Sequence, residues 1–238
     1  MENRSGEYAQ RGDYHVTLEK DWPYLPVYLE KIKLARAFLD DCSRQDVIYD
    51  MGCGEGVLVN EYRKAGYNIT GMDANYASES VIRRSFLNSG LAANSVDVIV
   101  CLDVIEHLIY PDQEKAIDEF ARILKPGGRV LISVPNLAHL ASRLSFLVTG
   151  KLIRTSSVDR HPGDRPVWEY IQLITRHFKI RRRLGLFPTF PLLSLLTLRY
   201  PSRVVWMHKL YNRLLGIPDI CFLNVFYLEK KPTAHQEG

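Results

Sequence analysis

The chain has 238 residues, of which 46% are hydrophobic and 24% charged, and this composition fits one large soluble globular domain. Its four cysteines are widely spaced and form no C-x-x-C pair, which argues against a zinc site and against a disulfide framework. The N-terminal stretch MENRSGEYAQRGDYH is polar and lacks the apolar core of a signal peptide, so we expect a cytoplasmic protein.

The net charge of +4 conceals an uneven distribution. Residues 170–218 contain nine Lys or Arg residues and no Asp or Glu, while the rest of the chain has 22 basic and 27 acidic residues. A basic region on a slightly acidic body indicates an anionic partner, or else a basic face that is simply solvated. The basic residues lie among hydrophobic ones and form no RNA-binding motif, so we do not expect nucleic acid as a partner.

The first predicted element is a helix over residues 26–41, where apolar residues recur at helical spacing. Short apolar runs then alternate with helical patterns. The predicted strands cover residues 46–51, 68–73, 81–88, 97–102, 129–135, 178–184 and 220–229. The predicted helices cover residues 55–65, 111–124, 138–149, 166–176 and 203–215. This alternation predicts an α/β fold, with a mostly parallel, doubly wound sheet covered by helices on both faces.

The loop after the first predicted strand, in VIYDMGCGEGV at residues 47–57, has glycines at every second position. Gly52, Gly54 and Gly56 form G-x-G-x-G, whereas a dinucleotide-binding loop has G-x-G-x-x-G and needs a glycine where Val57 stands. The spacing therefore disfavours a nicotinamide enzyme. The glycines let the backbone approach a ligand without a Cβ clash, and the N-terminus of the next helix favours a carboxylate.

Acidic residues stand at the ends of the strands beside this loop. Asp50 precedes the first glycine and can orient the cationic end of a ligand or the loop itself. Asp73 ends the second strand, where a carboxylate can accept the two hydroxyls of a ribose, although it could instead cap a helix. Asp103 follows the fourth strand at the same carboxyl edge, where ligands bind in open α/β sheets.

Four segments in order carry a family resemblance: DMGCGEG (50–56), GMDAN (71–75), DVIVCLDVIEHL (97–108) and ARILKPGGRVLISVPN (121–136). Together they resemble the class I S-adenosylmethionine-dependent methyltransferases. The IEHL and SVPN variants are similar to the subgroup of ubiquinone-pathway and small-molecule O-methyltransferases. The resemblance covers about residues 26–184.

The resemblance implies a single Rossmann-like methyltransferase domain over residues 1–238, with a seven-stranded sheet and S-adenosylmethionine as the cofactor. The matching positions are then expected to bind that cofactor: Asp50, Gly52, Cys53, Gly54, Gly56, Asp73, Ala74 and Asp103. Members of the family often place an acidic residue after the third strand, against the adenine. The stretch SFLNSGL at 85–91 has no such residue, which leaves Ser85, Phe86 and Asn88 as alternatives.

Histidines are the expected proton acceptors, because a hydroxyl acceptor must lose its proton near neutral pH. The resemblance places Glu106 and His107 of DVIEH on the acceptor side, and His161 lies where family members often have an acceptor-site histidine. These three residues are the candidate catalytic residues. His15 belongs to the N-terminal segment 1–42, which we expect to cover the cofactor. Some relatives bind a divalent metal through E-x-x-E-H. The D-x-x-E-H of this chain leaves that alternative open, but we expect no metal.

Residues 185–218 form an insertion before the last strand. Its predicted helix over 203–215 is amphipathic, with one apolar side and one largely basic side. The apolar side comprises Val204, Met207, Tyr211, Leu214 and Leu215, and the basic side comprises Arg203, Lys209, Asn212 and Arg213. Three interpretations stay open: a lid over the acceptor pocket, an interfacial helix on an anionic membrane that admits a lipid-like acceptor, or an oligomer interface.

The sequence therefore predicts a methyltransferase that uses S-adenosylmethionine and acts on a small or lipophilic acceptor, with oxygen as the expected target atom. The alternative is a methyltransferase-fold protein that binds the cofactor but serves as a scaffold or partner without turnover. The acceptor's identity and the oligomeric state stay open.

Overall fold

Seven strands form one sheet in the part of the chain that the structure describes, residues 18–232 of a computed structural model. The strands are β1 Ile48–Met51, β2 Ile69–Asp73, β3 Val81–Arg83, β4 Val96–Leu102, β5 Leu124–Pro135, β6 Phe178–Pro188 and β7 Cys221–Lys230. Their order is β3-β2-β1-β4-β5-β7-β6, and β7 alone in this sheet runs antiparallel to the other six strands. This confirms the predicted mostly parallel, seven-stranded α/β fold.

Helices cover both faces of the sheet. They are α1 Leu25–Asp40, α2 Val57–Lys64, α3 Tyr110–Ile123, α4 Leu140–Thr149, α5 Val167–Ile174, α6 Pro191–Arg199 and α7 Val205–Leu215. On one face, α3 and α5 bury side chains such as Phe120 and Tyr170 against β4 and β5. On the other face, α1 and α2 bury side chains such as Leu39 and Val59. No helix among residues 18–232 is long and apolar enough to cross a membrane.

The strand order reverses between β1 and β4, and this reversal opens a crevice at the carboxyl edge of the sheet. β1 is parallel to β2 on one side and to β4 on the other. The connections that leave β1 and β4 therefore lead away in opposite directions, so the loops after them do not cover the gap. Asp50, Asp73 and Asp103 all stand at or just beyond these strand ends.

Two predicted strands have different bounds in the structure. The third was predicted over 81–88, but β3 ends at Arg83, because Ser85 caps a short 3₁₀ helix over Phe86–Asn88 and turns the chain away. The fifth was predicted to begin at 129, but β5 begins at Leu124, which pairs with Val96. The register shifts between Val96 and Val98, and this shift accommodates residues 125–128, KPGG.

The insertion before β7 contains two helices rather than the single predicted one. Residues 191–199 form α6, and a 3₁₀ turn over Pro201–Val204 leads into α7. The predicted apolar side of α7 is wrong in one member, because Leu214 is 67% exposed instead of packed on the core. His208 takes the buried position, where its Nε2 lies 2.8 Å from Thr197 Oγ1 and ties α7 to α6.

Candidate active site

A cavity of about 1270 Å³ lies at the carboxyl ends of β1, β2 and β4. Its walls come from α1, the loop over residues 153–161 and α6, as well as from the sheet edge. Pockets for one drug-sized ligand typically hold about 300–1,000 Å³. This cavity therefore has room for a nucleoside-sized ligand and a second molecule beside it.

The glycine loop forms one wall of the cavity, but its three glycines differ in role. Gly52 and Gly54 line the cavity, and the backbone at Gly52 has a φ of 78°. A Cβ on Gly52 would lie 2.5 Å from Val104 Cγ2, so a side chain there would push into the next loop. Gly56 does not line the cavity. A Cβ on Gly56 would lie 2.8 Å from Val81 Cγ2, so this glycine lets α2 begin close against β3.

Asp73 is held in place by the loops on either side of it. Its Oδ2 accepts a hydrogen bond of 2.9 Å from Gly54 N–H, and its Oδ1 accepts one of 2.8 Å from Asn75 N–H. The carboxylate lines the cavity at the end of β2, and so does Ala74. The glycine loop and the end of β2 are thereby fixed to one another through a side chain that can also accept hydroxyl donors from a ligand.

Asp50 is buried at the end of β1, close to Asp73 and Lys31. Burial, and then the negative charge of Asp73, raise the pKa of Asp50 to about 7, while Lys31 opposes the rise. The carboxyl group is therefore poised between its two protonation states at neutral pH. A positively charged group that entered this part of the cavity would favour the carboxylate form.

Lys31 of α1 is 3% exposed and forms an ion pair with Asp103 inside the cavity. Tyr24 Oη donates a 2.5 Å hydrogen bond to the same Asp103 oxygen, and Ser133 Oγ donates to the other oxygen. Burial acts to raise the pKa of Asp103, but Lys31 and these two hydroxyl donors outweigh it and lower the pKa below its ordinary value. Asp103 is therefore an ionised carboxylate held by three donors.

The sequence analysis did not identify Lys31. The signal was present, because Lys31 lies one turn after Val27 and one turn before Ala35, and both are buried. A lysine in the buried stripe of an amphipathic helix needs a charged partner inside the protein. The distance of 72 residues between Lys31 and Asp103 hides that partner from the sequence.

Glu106, His107 and His161, the three candidate catalytic residues, come together in the cavity wall. The rings of His107 and His161 stack edge to face, with 4.6 Å between their centroids. His107 Nδ1 lies 2.8 Å from the carbonyl oxygen of Arg160. A carbonyl can only accept, so Nδ1 of His107 carries a hydrogen, and in the neutral ring the lone pair is then on Nε2.

A second chain of hydrogen bonds orients His161. Thr155 Oγ1 donates to Asp164 Oδ2 over 2.8 Å and lies 3.0 Å from His161 Nδ1, from which it accepts. His161 Nε2 therefore also carries a lone pair. Burial, and then the neighbouring His107, lower the pKa of His161 to about 3, so its ring is neutral at physiological pH.

Glu106 is buried beneath the two rings. Burial, and then the negative charge of Asp103, raise the pKa of Glu106 well above its ordinary value, which favours the protonated form. Its Oε2 has no hydrogen-bond partner among residues 18–232. Glu106 is thus a buried carboxylic acid with one oxygen left for a ligand or a water molecule.

The cluster also has the geometry of a metal site. One ligand atom from each of Glu106, His107 and His161 lies within 4.8 Å of the others. Asp103, which the D-x-x-E-H pattern suggested as a ligand, instead pairs with Lys31. The set that the structure brings together is therefore one carboxyl and two imidazoles.

Gln113 is a further residue that the sequence analysis missed. It is buried on α3, and its Nε2 donates to the carbonyl oxygens of Ile105 (3.0 Å), Leu108 (3.1 Å) and Gly163 (2.8 Å). One amide thus joins the turn that carries His107 to the loop that carries His161. No local pattern could signal this role, because Gly163 is 50 residues away.

The remaining predicted site residues have clear positions. Ser85 and Phe86 line the cavity, but Asn88 does not. Ser85 and Phe86 therefore stay as the two candidate residues for a contact with the adenine. Cys53 lies in the cavity wall between the two lining glycines. His15 falls outside the residues that the structure describes.

Comparisons with known proteins agree with this fold. Residues 25–186 match the family described as a methyltransferase domain, which is more than half of the chain. The chain therefore belongs to the methyltransferase domain family.

Curated relatives extend the comparison. The chain is 28% identical over 133 residues to the ubiquinone biosynthesis O-methyltransferase of Colwellia psychrerythraea. The aligned region covers 50% of this chain and 53% of that protein. It is 30% identical over 168 residues to the ubiquinone biosynthesis O-methyltransferase of Pectobacterium atrosepticum, covering 56% of this chain and 69% of that protein. The chain spans about half the length of several curated relatives that it matches.

Solved structures share the fold at low sequence identity. An S-adenosylmethionine-dependent methyltransferase from Archaeoglobus fulgidus has a TM-score of 0.53 and 18% identity over 92% of this chain and 100% of that one. One from Mesorhizobium loti has a TM-score of 0.52 and 14% identity over 82% of this chain and 96% of that one. At these identities the likeness shows the fold alone.

The cofactor of this family, S-adenosylmethionine, fits the donor set of the cavity. It carries a sulfonium, an ammonium, a carboxylate and a ribose diol. The cavity supplies Asp50, Asp73 and Asp103 as carboxylates and Lys31 as a buried ammonium. Each of these four groups therefore has a side chain of complementary charge or hydrogen-bonding character in the cavity.

Proposed function

We propose that the protein transfers the methyl group of S-adenosylmethionine to an oxygen atom of a small or lipophilic acceptor. The observation that carries the proposal is one continuous cavity that is lined both by the glycine loop with its carboxylates and by Glu106, His107 and His161. The names of the curated relatives, ubiquinone biosynthesis O-methyltransferases, support oxygen as the target atom.

On the cofactor side, Asp73 would accept the ribose hydroxyls, since its carboxylate lines the cavity at the end of β2. Asp50 would face the cationic end of the amino acid, and the loop amides around Gly52 to Gly54 would face its carboxylate. Lys31 would form an ion pair with the same carboxylate, so its ammonium group would be shared between Asp103 and the ligand.

On the acceptor side, His107 Nε2 would take the proton of the acceptor hydroxyl, because the Arg160 carbonyl fixes the tautomer that leaves this nitrogen basic. His161 would orient the acceptor, held in place by Thr155. Glu106, in its protonated form, would donate a hydrogen bond to a second acceptor oxygen. When bound, the cofactor supplies a methyl group on positively charged sulfur. Holding the acceptor in line with that group supplies much of the rate enhancement.

The two flanking segments would enclose this reaction. The described part of the segment 1–42 contributes Tyr24 and Lys31 to the cavity, so it would cover the cofactor. The insertion over 185–218 contributes Ser194, Thr197 and Leu198 to the wall, so it would act as a lid on the acceptor side.

Calorimetric titration with S-adenosylmethionine and S-adenosylhomocysteine tests the cofactor half of the proposal. We expect micromolar binding that is lost in Asp73→Ala and retained in Asp112→Ala, a matched substitution of a surface carboxylate on α3. A folded protein that binds neither ligand at millimolar concentration would contradict the proposal.

Transfer of a labelled methyl group to a panel of phenols and catechols tests the chemical half. His107→Ala should lower kcat by about 100-fold or more while S-adenosylhomocysteine binding stays intact. Cofactor binding without transfer to any member of the panel would favour the scaffold alternative.

A further inference from the structure

Exposed apolar side chains concentrate on the helices around the cavity, and α6 shows this most clearly. It buries Leu193 and Thr197 but turns Leu192, Leu195 and Leu198 outward. A surface helix of a globular protein normally packs most of its leucines inward. The outward leucines of α6 therefore have no covering partner within the described chain.

Two more helices carry outward apolar side chains of the same kind. On α7, Trp206, Leu210 and Leu214 recur every four residues and form one exposed stripe. On α4, Leu147 and Val148 are each 82% exposed. We call the outward apolar side chains of α4, α6 and α7 the docking face. Single exposed apolar residues are ordinary, but large patches rimmed by polar residues mark interaction sites.

The N-terminal ends of α4 and α6 meet beside the cavity. Thr189, just before α6, accepts a 2.9 Å hydrogen bond from Ala141 N–H and lies 3.0 Å from His139 Nδ1 at the start of α4. Ile153, after α4, and Leu198, on α6, both line the cavity. They are also 47% and 66% exposed, so they stand where the cavity meets the outside. The cavity therefore opens at the docking face.

Charge identifies the kind of partner. The segments that hold the docking face, residues 136–158 and 189–218, contain seven Lys or Arg residues and no Asp or Glu. Arg203, Lys209 and Arg213 are exposed beside the apolar stripe of α7. A tryptophan with leucines, flanked by basic residues, is the composition of a helix that lies in the interface of an anionic bilayer.

We propose that α4, α6 and α7 dock the protein on an anionic bilayer, and that the acceptor enters the cavity from that bilayer between Ile153 and Leu198. The route of the acceptor rests on the proposed function, whereas the docking itself does not. Docking turns the mouth of the cavity toward the lipid, so a lipophilic acceptor reaches the site without crossing water.

Vesicle sedimentation tests the docking. The full chain should bind vesicles of phosphatidylcholine with 30% phosphatidylglycerol more tightly than pure phosphatidylcholine, and salt should weaken the difference. Trp206→Ser should lower the partition coefficient by about tenfold, since one large side chain leaves the lipid. Replacing Arg203, Lys209 and Arg213 together by glutamine removes three positive charges. This triple substitution should lower the partition coefficient on the anionic vesicles by about 100-fold.

Trp168→Ser is the matched control, because Trp168 on α5 is 64% exposed, as Trp206 is, but lies outside the docking face. The control should bind vesicles as the unaltered chain does. Equal losses in both tryptophan variants, or no binding to either vesicle, would overturn the proposal. Sedimentation velocity in the absence of lipid gives a further test. If two copies of the chain associate through the docking face, and Trp206→Ser dissociates them without changing vesicle binding, the docking is also overturned.

Titration with S-adenosylhomocysteine keeps the two proposals distinguishable, because every docking variant should bind it normally. Vesicle binding without cofactor binding would remove the proposed function and leave the docking. For the route, Trp206→Ser should slow methylation of a long-chain phenol presented in vesicles and leave a short water-soluble phenol unaffected. Equal slowing of both acceptors would overturn entry from the bilayer.

Discussion

Replacing Lys31 by methionine tests the cofactor end of the cavity most directly. The Lys31 ammonium lies 5.3 Å from the ring centres of both Tyr24 and Tyr28 and pairs with Asp103. Methionine preserves most of the apolar stem but removes the charge. The Asp103 carboxylate would then remain in the cavity with only its two hydroxyl donors.

The expected loss of stability follows from this geometry. Removing one partner of a buried ion pair costs about 3–5 kcal/mol. The side chain of Asp103 keeps 18% exposure and the donors Tyr24 and Ser133, so we expect the lower end, about 3 kcal/mol. For a domain of this size, about 2–4 °C of Tm corresponds to each kcal/mol, which gives a fall of about 6–12 °C.

The pH dependence has a definite sign. The folded state lowers the pKa of Asp103, so its stabilising effect is complete above the unfolded value near 4 and is lost as pH falls through the folded pKa. The Tm difference between the unaltered protein and Lys31→Met should therefore shrink when the thermal scan is repeated at pH 3 instead of pH 7.

Binding separates the role of Lys31 toward the ligand from its role in the fold. A hydrogen bond to a charged group contributes about 1.5–3 kcal/mol, so Lys31→Met should weaken S-adenosylhomocysteine by about 10- to 100-fold. Methylthioadenosine lacks the amino-acid end and should bind equally well to both proteins. Lys33→Met, an exposed lysine on the same helix, is the control for both titrations. Equal weakening of the two ligands would refute the assignment of Lys31 to the carboxylate.

Three further substitutions test other parts of the site. Burial raises the pKa of Asp50 to about 7, so ionisation of this carboxyl group destabilises the fold progressively above pH 4. Asp50→Asn should therefore raise Tm more at pH 8 than at pH 5. The same substitution should weaken cofactor binding. A Cβ on Gly163 would lie 1.9 Å from the Leu108 carbonyl oxygen, so Gly163→Ala should displace the acceptor loop and lower kcat with little change in S-adenosylhomocysteine affinity. His161→Ala should raise the acceptor KM more than it lowers kcat, because His161 is proposed to orient the acceptor. A loss of kcat alone in steady-state assays would contradict that role.

Much of the fold and of the cofactor side could be predicted from the sequence, because the signals are local. The strands are continuous apolar runs, and the glycines of 52–56 follow the first of them directly. Asp73 was placed correctly at the end of β2 because strand ends in a parallel sheet share one edge. The weaker predictions came where local signals conflict, as at Ser85, where a cap competes with strand continuation.

The acceptor side was only partly predictable. His107 and His161 were named from their positions in the chain, but their approach to 4.6 Å depends on Gln113, which bridges two loops that are far apart in sequence. Their tautomers depend on the Arg160 carbonyl and on Thr155. No periodicity or spacing encodes such contacts, because they form only after the sheet has brought the loops together.

By itself, the sequence determined the order of strands and helices, the glycine loop and the carboxylates at the strand ends, since each is set by residues adjacent in the chain. Tertiary structure decided that Lys31 meets Asp103, that His161 rather than Asp103 joins Glu106 and His107, and that the leucines of α6 face outward. A helix with leucines on several sides can bury any of them. Which side is covered depends on where the sheet and its neighbouring helices lie, and that is a property of the whole fold.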